Sequence, residues 1–194
     1  MVLAGLSKAI ESRDPYARGH SARVSALAEI VARRLGWRSS RIAGLRLGGL
    51  LHDVGKLNLD DAVLRKPGPL NEREYAEIKR HPQAGARMIR GLVQLRPALP
   101  YVLFHHERWD GQGYPSGRSR EQIPAGARIV AVVDAFDAMI SKRPYRAPLP
   151  VGTALAEIDR NAGSQFDPGV VRAFLAAWAE GEFDRFLPDH RLSA

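Results

Sequence analysis

No cysteine occurs among the 194 residues. That absence excludes a disulfide scaffold, zinc fingers, iron–sulfur clusters and thiol catalysis, and leaves His, Asp and Glu as the only candidate ligands for a transition metal. Lysine is scarce as well: Lys8, Lys56, Lys66, Lys79 and Lys142 are five of 29 cationic residues, so arginine carries most of the net charge of +8. Such a charge favours acidic partners such as nucleotides. The arginines are spread along the chain with no helix-turn-helix, RNA-binding or zinc-finger signature beside them, so specific nucleic-acid binding is not expected. Long apolar runs are also missing. Stretches such as Ile129–Val133 fall far short of the ~20 residues a membrane span needs. No basic segment precedes the opening Met1–Leu6, so no secretory leader is expected and the cytoplasm is the default location. An apolar fraction of 45% and a charged fraction of 26% are those of an ordinary globular domain.

Helical periodicity dominates what is present. Val24, Leu27, Val31 and Leu35 recur at three-or-four spacing, with Gly36 as a stop, and one step back along that face stands His20. A second helix is expected from Ser39-Ser40 through Ile42, Leu45, Leu47, Leu50 and Leu51, carrying His52, Asp53 and Lys56 near its end. Asn71 with Glu74 makes a capping-box start for a helix ending near His81. Pro82 suits the first turn of the next helix, which runs through Met88 to Leu92. Pro100–His106 reads as a helix that stops before the turn-rich segment Asp110–Gly117. The β-branched run Ile129–Val133 could pass for a strand, but its continuation to Ile140 predicts a helix opened by Pro124. Two further helices are expected over Val151–Ala162 and Pro168–Ala179, the latter capped by Asp167. Strands do not alternate with helices, so the expected fold is an all-α bundle.

Five of the six histidines stand at suspicious places in this pattern. His20 opens an apolar face, His52-Asp53 follow Leu50-Leu51, His81 precedes Pro82, and His105-His106 follow Tyr101–Phe104. Asp134 interrupts an apolar stretch, where an ionised carboxylate is costly unless paired or bound to a metal. Imidazole and carboxylate together suit first-row transition metals. Seven candidate ligands are too many for one catalytic ion that keeps open water positions, whereas seven with one shared carboxylate suit two ions. Paired ions about 3.5–4 Å apart can hold a bridging hydroxide and clamp both oxygens of a displacement at phosphorus. The pattern therefore points to phosphoester hydrolysis.

Three segments carry a family resemblance: Leu51–Lys56 (LHDVGK), His105–Pro115 (HHERWDGQGYP) and Asp134–Met139 (DAFDAM). Supporting stretches are Asp14-Pro15-Tyr16 before Gly19-His20-Ser21, Arg80-His81-Pro82, Arg143–Arg146 and Gly163–Pro168. In order and spacing they resemble the HD-GYP family, a subclass of the HD-domain metal-dependent phosphohydrolases. The resemblance implies a helical HD-domain bundle over residues 1–180, with residues 181–194 as a C-terminal tail. It implies hydrolysis of cyclic di-GMP to pGpG, and onward to GMP, by attack of a metal-bridging hydroxide. His20, His52, Asp53 and Asp134 match the metal site shared by HD domains. His81, His105 and His106 match the second-metal ligands of this subclass, with Asp53 bridging. Lys56 matches a lysine on the scissile phosphate, Arg143 and Arg146 match basic positions near the substrate phosphates, and Tyr114 would border the substrate pocket.

The cofactors implied are two divalent ions, iron or manganese first, with nickel, cobalt or zinc as alternatives. The family's Thr is replaced by Ala17, and Lys142 stands where an acid is common. Tyr16 occupies the position of a Glu that holds a third metal in some relatives, so two metals are expected. Glu107 and Asp137 read as acids that orient ligand histidines, Asp137 equally as a helix-stabilising partner, and Trp109 as an anchor for its loop. Possible partners are a GGDEF-type cyclase or a separate sensor protein. Two other readings stand beside this one: a phosphodiesterase for another cyclic dinucleotide such as 3′,3′-cyclic GMP–AMP, and a non-catalytic module that senses cyclic di-GMP.

Overall fold

The computed structural model describes residues 5, 12, 13, 19–142 and 147–186. Within that range lie α1 (His20–Arg34), α2 (Ser39–Leu51), α3 (Asp61–Leu64), α4 (Glu72–Ile78), α5 (His81–Ile89), α6 (Leu99–Phe104), α7 (Ala125–Ile140), α8 (Val151–Arg160) and α9 (Pro168–Ala179). Short 3-10 turns at Val54–Asn58 and Val93–Ala98 link the middle helices. No named strand occurs among the described residues, which bears out the all-α expectation. None of the described helices is long and apolar enough to cross a membrane.

Local signals place several boundaries. Asn71 and Glu74 form a reciprocal capping box at the start of α4. Asp167 accepts the Gly169 amide at 2.7 Å, with Pro168 opening α9. The ambiguous Ile129–Val133 run lies inside α7, whose Val132, Val133 and Phe136 are fully buried. α1 and α7 pack together with α9 around Val24, Leu27, Val31, Phe136 and Phe174. The Phe136 and Phe174 rings meet edge-on at 5.0 Å. A second apolar cluster, Leu51, Val54, Ile89, Leu95, Ala98 and Val102, joins α2, α5 and α6.

Two expectations are corrected. α2 stops at Leu51, so His52 caps it, Asp53 lies in the following turn, and Lys56 sits in the 3-10 turn Val54–Asn58. A close approach explains the tighter winding. A Cβ on Gly55 would stand 1.9 Å from the His81 carbonyl oxygen and 2.5 Å from the Gly85 nitrogen, so this turn lies directly against the backbone of α5. Further on, α4 ends at Ile78 and His81 opens α5 rather than closing α4, while Leu92 falls beyond α5 and is exposed.

Candidate metal centre

All seven expected ligands come together although they arise from five helices and the turns that follow them. Asp53, His81, His105 and His106 place one ligand atom each within 4.8 Å of one another, and His20, His52 and Asp134 do the same. The two groups meet at Asp53. Its Oδ2 lies 3.4 Å from His52 Nε2, and its Oδ1 lies 3.3 Å from His81 Nε2. One carboxylate thus offers a separate oxygen to each group.

Backbone carbonyls set the rings. His52, His81 and His105 each donate Nδ1–H to the carbonyl three residues earlier, on Gly49, Ile78 and Val102, at 2.8 Å in every case. A carbonyl only accepts, so Nδ1 carries the proton and Nε2 is left as the donor for a cation. The fourth ring, His20, donates Nδ1–H to Asp137 Oδ2 at 2.7 Å. Arg23 braces that carboxylate in turn, with Nε at 2.6 Å and Nη2 at 3.0 Å. Asp137 therefore orients a histidine, one of the two roles the sequence allowed, and in addition ties α7 to α1. Arg23 escaped the sequence reading, although it stands one turn after His20 on the same helix; its partner is 114 residues away.

Burial and the protein's own charges set the protonation states of the cluster. Burial is unfavourable to the Asp53 carboxylate, yet the charges of Lys56 and His52 hold it well below the ordinary range. Asp134 is likewise held low by the His20 hydrogen bond and the neighbouring imidazoles, against the cost of desolvation. Burial pushes His105 well below the normal imidazole value and lowers His106 to about 3. His20 runs the other way. Although burial disfavours its charge, Asp134 and Asp137 raise it to about 9.

The remaining expected residues fall around this cluster. Lys56 Nζ donates to Asp53 Oδ2 at 2.6 Å. The Tyr114 ring stacks on His106 with centroids 4.8 Å apart and planes 28° from parallel. Gly113 permits that stacking, since a Cβ there would lie 2.3 Å from the Arg108 nitrogen and 2.6 Å from the His106 carbonyl oxygen. Glu107 does not orient a histidine. It is buried and accepts the amides of Ser116 and Arg118 at 2.7 and 3.0 Å, pinning the loop to the helix end that bears His105 and His106. The Trp109 amide donates to the Gln165 carbonyl at 3.0 Å and anchors the other side of the loop. Arg143, Arg146, Tyr16 and Ala17 lie outside the described residues.

A helical bundle that gathers a His–Asp pair with further histidines and an aspartate in this way defines an HD-type domain. The HD domain profile matches residues 5–170, and the chain belongs to that family. Its HHE and GYP segments place it in the HD-GYP group within the family. The chain is 41% identical, over 93% of its length, to the cyclic di-GMP phosphodiesterase response regulator RpfG of Xanthomonas campestris, of which it covers 48%. It is 35% identical, over 86% of its length, to 3′3′-cGAMP-specific phosphodiesterase 3 of Vibrio cholerae, of which it covers 36%. The chain thus spans half or less of these relatives. Its fold is similar to that in the crystal structure of a V. cholerae cyclic GMP-AMP-specific phosphodiesterase, with a TM-score of 0.77 at 21% identity over 99% of this chain and 51% of that one.

Proposed function

We propose that this chain is the catalytic portion, over residues 1–180, of a metal-dependent phosphodiesterase that hydrolyses cyclic di-GMP to pGpG and onward to GMP. The observation that carries the reading is Asp53, whose two oxygens face two histidine-rich groups while Lys56 sits on the same carboxylate. The donor set fits two divalent cations. His81 Nε2 and His105 Nε2 stand 3.3 Å apart with each Nδ1–H spent on a carbonyl, so in their neutral forms two acceptors face one another, an arrangement that a shared cation satisfies. His20, His52, Asp53 and Asp134 would hold one ion, and Asp53, His81, His105 and His106 the other. When bound, the pair supplies Lewis-acid charge at the phosphoryl oxygens and lowers the pKa of water. Iron(II) or manganese(II) suits these nitrogen and oxygen donors. The presence of Tyr16 supports two ions rather than three.

The chain's own residues do the rest. Lys56 brings a cation to the edge of the cluster, where it offsets charge building on the phosphorus oxygens and can hydrogen-bond the departing ribose oxygen. Tyr114 lays an aromatic face beside His106 for a nucleobase or sugar to pack on. Arg143 and Arg146 would reach the substrate phosphates, as guanidinium groups suit those oxygens. A GGDEF-type cyclase or a separate sensor is proposed as partner on the family resemblance, and a cytoplasmic setting on the substrate's being a bacterial second messenger.

The deciding experiment incubates protein purified without oxygen, loaded with iron(II) or manganese(II), with cyclic di-GMP, 3′,3′-cyclic GMP–AMP and pGpG, and separates the products. Fastest turnover of cyclic di-GMP is expected. Preference for the mixed dinucleotide would change the substrate, and tight binding without products would make this a sensing module. In the same assay Lys56→Ala is expected to lower kcat roughly 100-fold, the scale of losing one preorganised donor, with metal content near normal. Asp137→Asn separates ring positioning from ligation. It keeps the shape of the brace but weakens the charge partner of His20 Nδ1, so metal affinity at the His20 group should fall roughly 10–100-fold. Titration against a metal buffer reads this directly, and unchanged affinity would refute the role given to Asp137.

A further inference from the structure

Among the described residues, the HD-GYP motifs leave a cation near the cluster without a task. Lys79 follows the last residue of α4 and stands two residues before His81. Its ammonium lies 4.5 Å from the centroid of the Tyr75 ring and 5.6 Å from that of Tyr114. Tyr114 in turn stacks on His106. Tyr75, Lys79 and Tyr114 therefore form a continuous line from an exposed aromatic face, 48% accessible at Tyr75, to the edge of the metal centre.

The charge of Lys79 is held but not neutralised. Lys56 is paired with Asp53, and Lys66 with Glu74, each at 2.6 Å. Glu74 is further committed to the cap of α4, and Glu77 accepts the Asp60 amide at 3.3 Å. Among the described residues no carboxylate forms an ion pair with Lys79. Aromatic faces attract an ammonium through their quadrupoles while leaving its full positive charge available to an anion. A lysine kept in this way beside a phosphoryl-transfer site is suited to a phosphate that the metal centre does not itself engage.

We propose that Lys79 is the anchor for the second phosphate of a cyclic dinucleotide, the one not under attack, and that Tyr75 and Tyr114 are positioning residues that hold its ammonium. The inference rests on the cyclic-dinucleotide reading above. A cyclic dinucleotide carries two phosphates, and Lys56, paired with Asp53, sits at the one being cleaved. Lys79, 5.6 Å from the Tyr114 ring, meets the other.

The test compares cyclic di-GMP with bis(p-nitrophenyl) phosphate, a diester with a single phosphate and no base, on the full metal-loaded chain. Lys79→Ala is expected to raise KM for cyclic di-GMP on the order of 10–100-fold, the scale of one charge-assisted contact, with a much smaller change in kcat. KM for the single-phosphate diester should move far less. Lys79→Arg should restore most of the affinity, Tyr75→Phe should behave as wild type, and Tyr75→Ala should show part of the Lys79→Ala defect. Melting temperatures and metal content show that each variant is folded and loaded. An unchanged KM for cyclic di-GMP in Lys79→Ala, or an equal rise for both substrates, overturns the assignment while leaving the phosphodiesterase reading intact. A wild-type protein that cleaves the simple diester but neither binds nor cleaves a cyclic dinucleotide overturns the substrate reading and this one with it.

Discussion

Asp53→Ala is expected to empty both metal positions at once, taking metal content from two ions per chain to near zero. The reason is geometric. Each oxygen of Asp53 faces a different histidine group, at 3.4 Å from His52 and 3.3 Å from His81, so one substitution removes a ligand from each. It also removes the negative charge nearest to a set of buried imidazoles, leaving Asp134 as the remaining carboxylate of the cluster. Activity should fall by far more than about 100-fold, since even changes outside the ligand shell cost 10–100-fold. A single-group change such as His106→Ala should instead leave one ion in place. Lys56 loses a carboxylate partner in Asp53→Ala, and removing one member of a partly buried ion pair is destabilising in its own right. Asp53→Asn, which keeps the volume and one oxygen, therefore accompanies it, with melting temperature as the control. Elemental analysis that finds two ions in a folded Asp53→Ala protein would break the bridging arrangement.

Gly55→Ala should do as much damage from a residue that touches no metal. Its new methyl group would fall 1.9 Å from the His81 carbonyl oxygen and 2.8 Å from the His81 carbonyl carbon. Both obstacles are backbone, so no side chain can swing aside. The turn bearing Lys56 must move away from α5, and with it Asp53 from His81. Overpacking of this kind costs about 3 kcal/mol, which for a chain of this size lowers the melting temperature by about 6–12 °C. The ion held by His81, His105 and His106 should be lost before the one held by His20, His52 and Asp134. Gly152→Ala provides the contrast. Nothing lies within 4 Å of its added carbon, and in the exposed first turn of α8 alanine should be stabilising by about 0.4–1 kcal/mol. Wild-type stability and a full complement of ions in Gly55→Ala would refute the packing argument.

The sequence showed the helices wherever a local signal sufficed. The Asn71–Glu74 box, the Asp167 cap with Pro168, and the long apolar face of α7 are written in neighbouring residues, and each matches the structure. The end of α2 was not legible in this way. Val54 and Leu57 continue the apolar rhythm of Leu50 and Leu51, and only contact with α5, some thirty residues later, winds the chain into a 3-10 turn. The seven candidate ligands stood out by residue type and motif, and the structure brings all of them together. Their supports did not stand out. The Gly49, Ile78 and Val102 carbonyls belong to the backbone and leave no mark on composition, and the Arg23–Asp137 brace joins residues 114 positions apart. Glu107 was placed next to the right histidines but given the wrong partner, because loop amides nine and eleven residues away are indistinguishable in sequence from an imidazole nearby.

Those carbonyls have one more consequence. Gly49, Ile78 and Val102 belong to the final turns of α2, α4 and α6, where main-chain acceptors run out of partners within their own helix. His52, His81 and His105 are thus each also the stopper of a helix, and the carbonyl that fixes the ring is part of the fold itself. The helix ends they close carry partial negative charge, so the backbone itself favours a cation at their meeting point. Such a scaffold loads and exchanges metal as a finished receptacle, unlike a finger domain that must assemble around its ion. Removing the ions with a chelator is therefore expected to leave the helices folded, which far-UV circular dichroism reads.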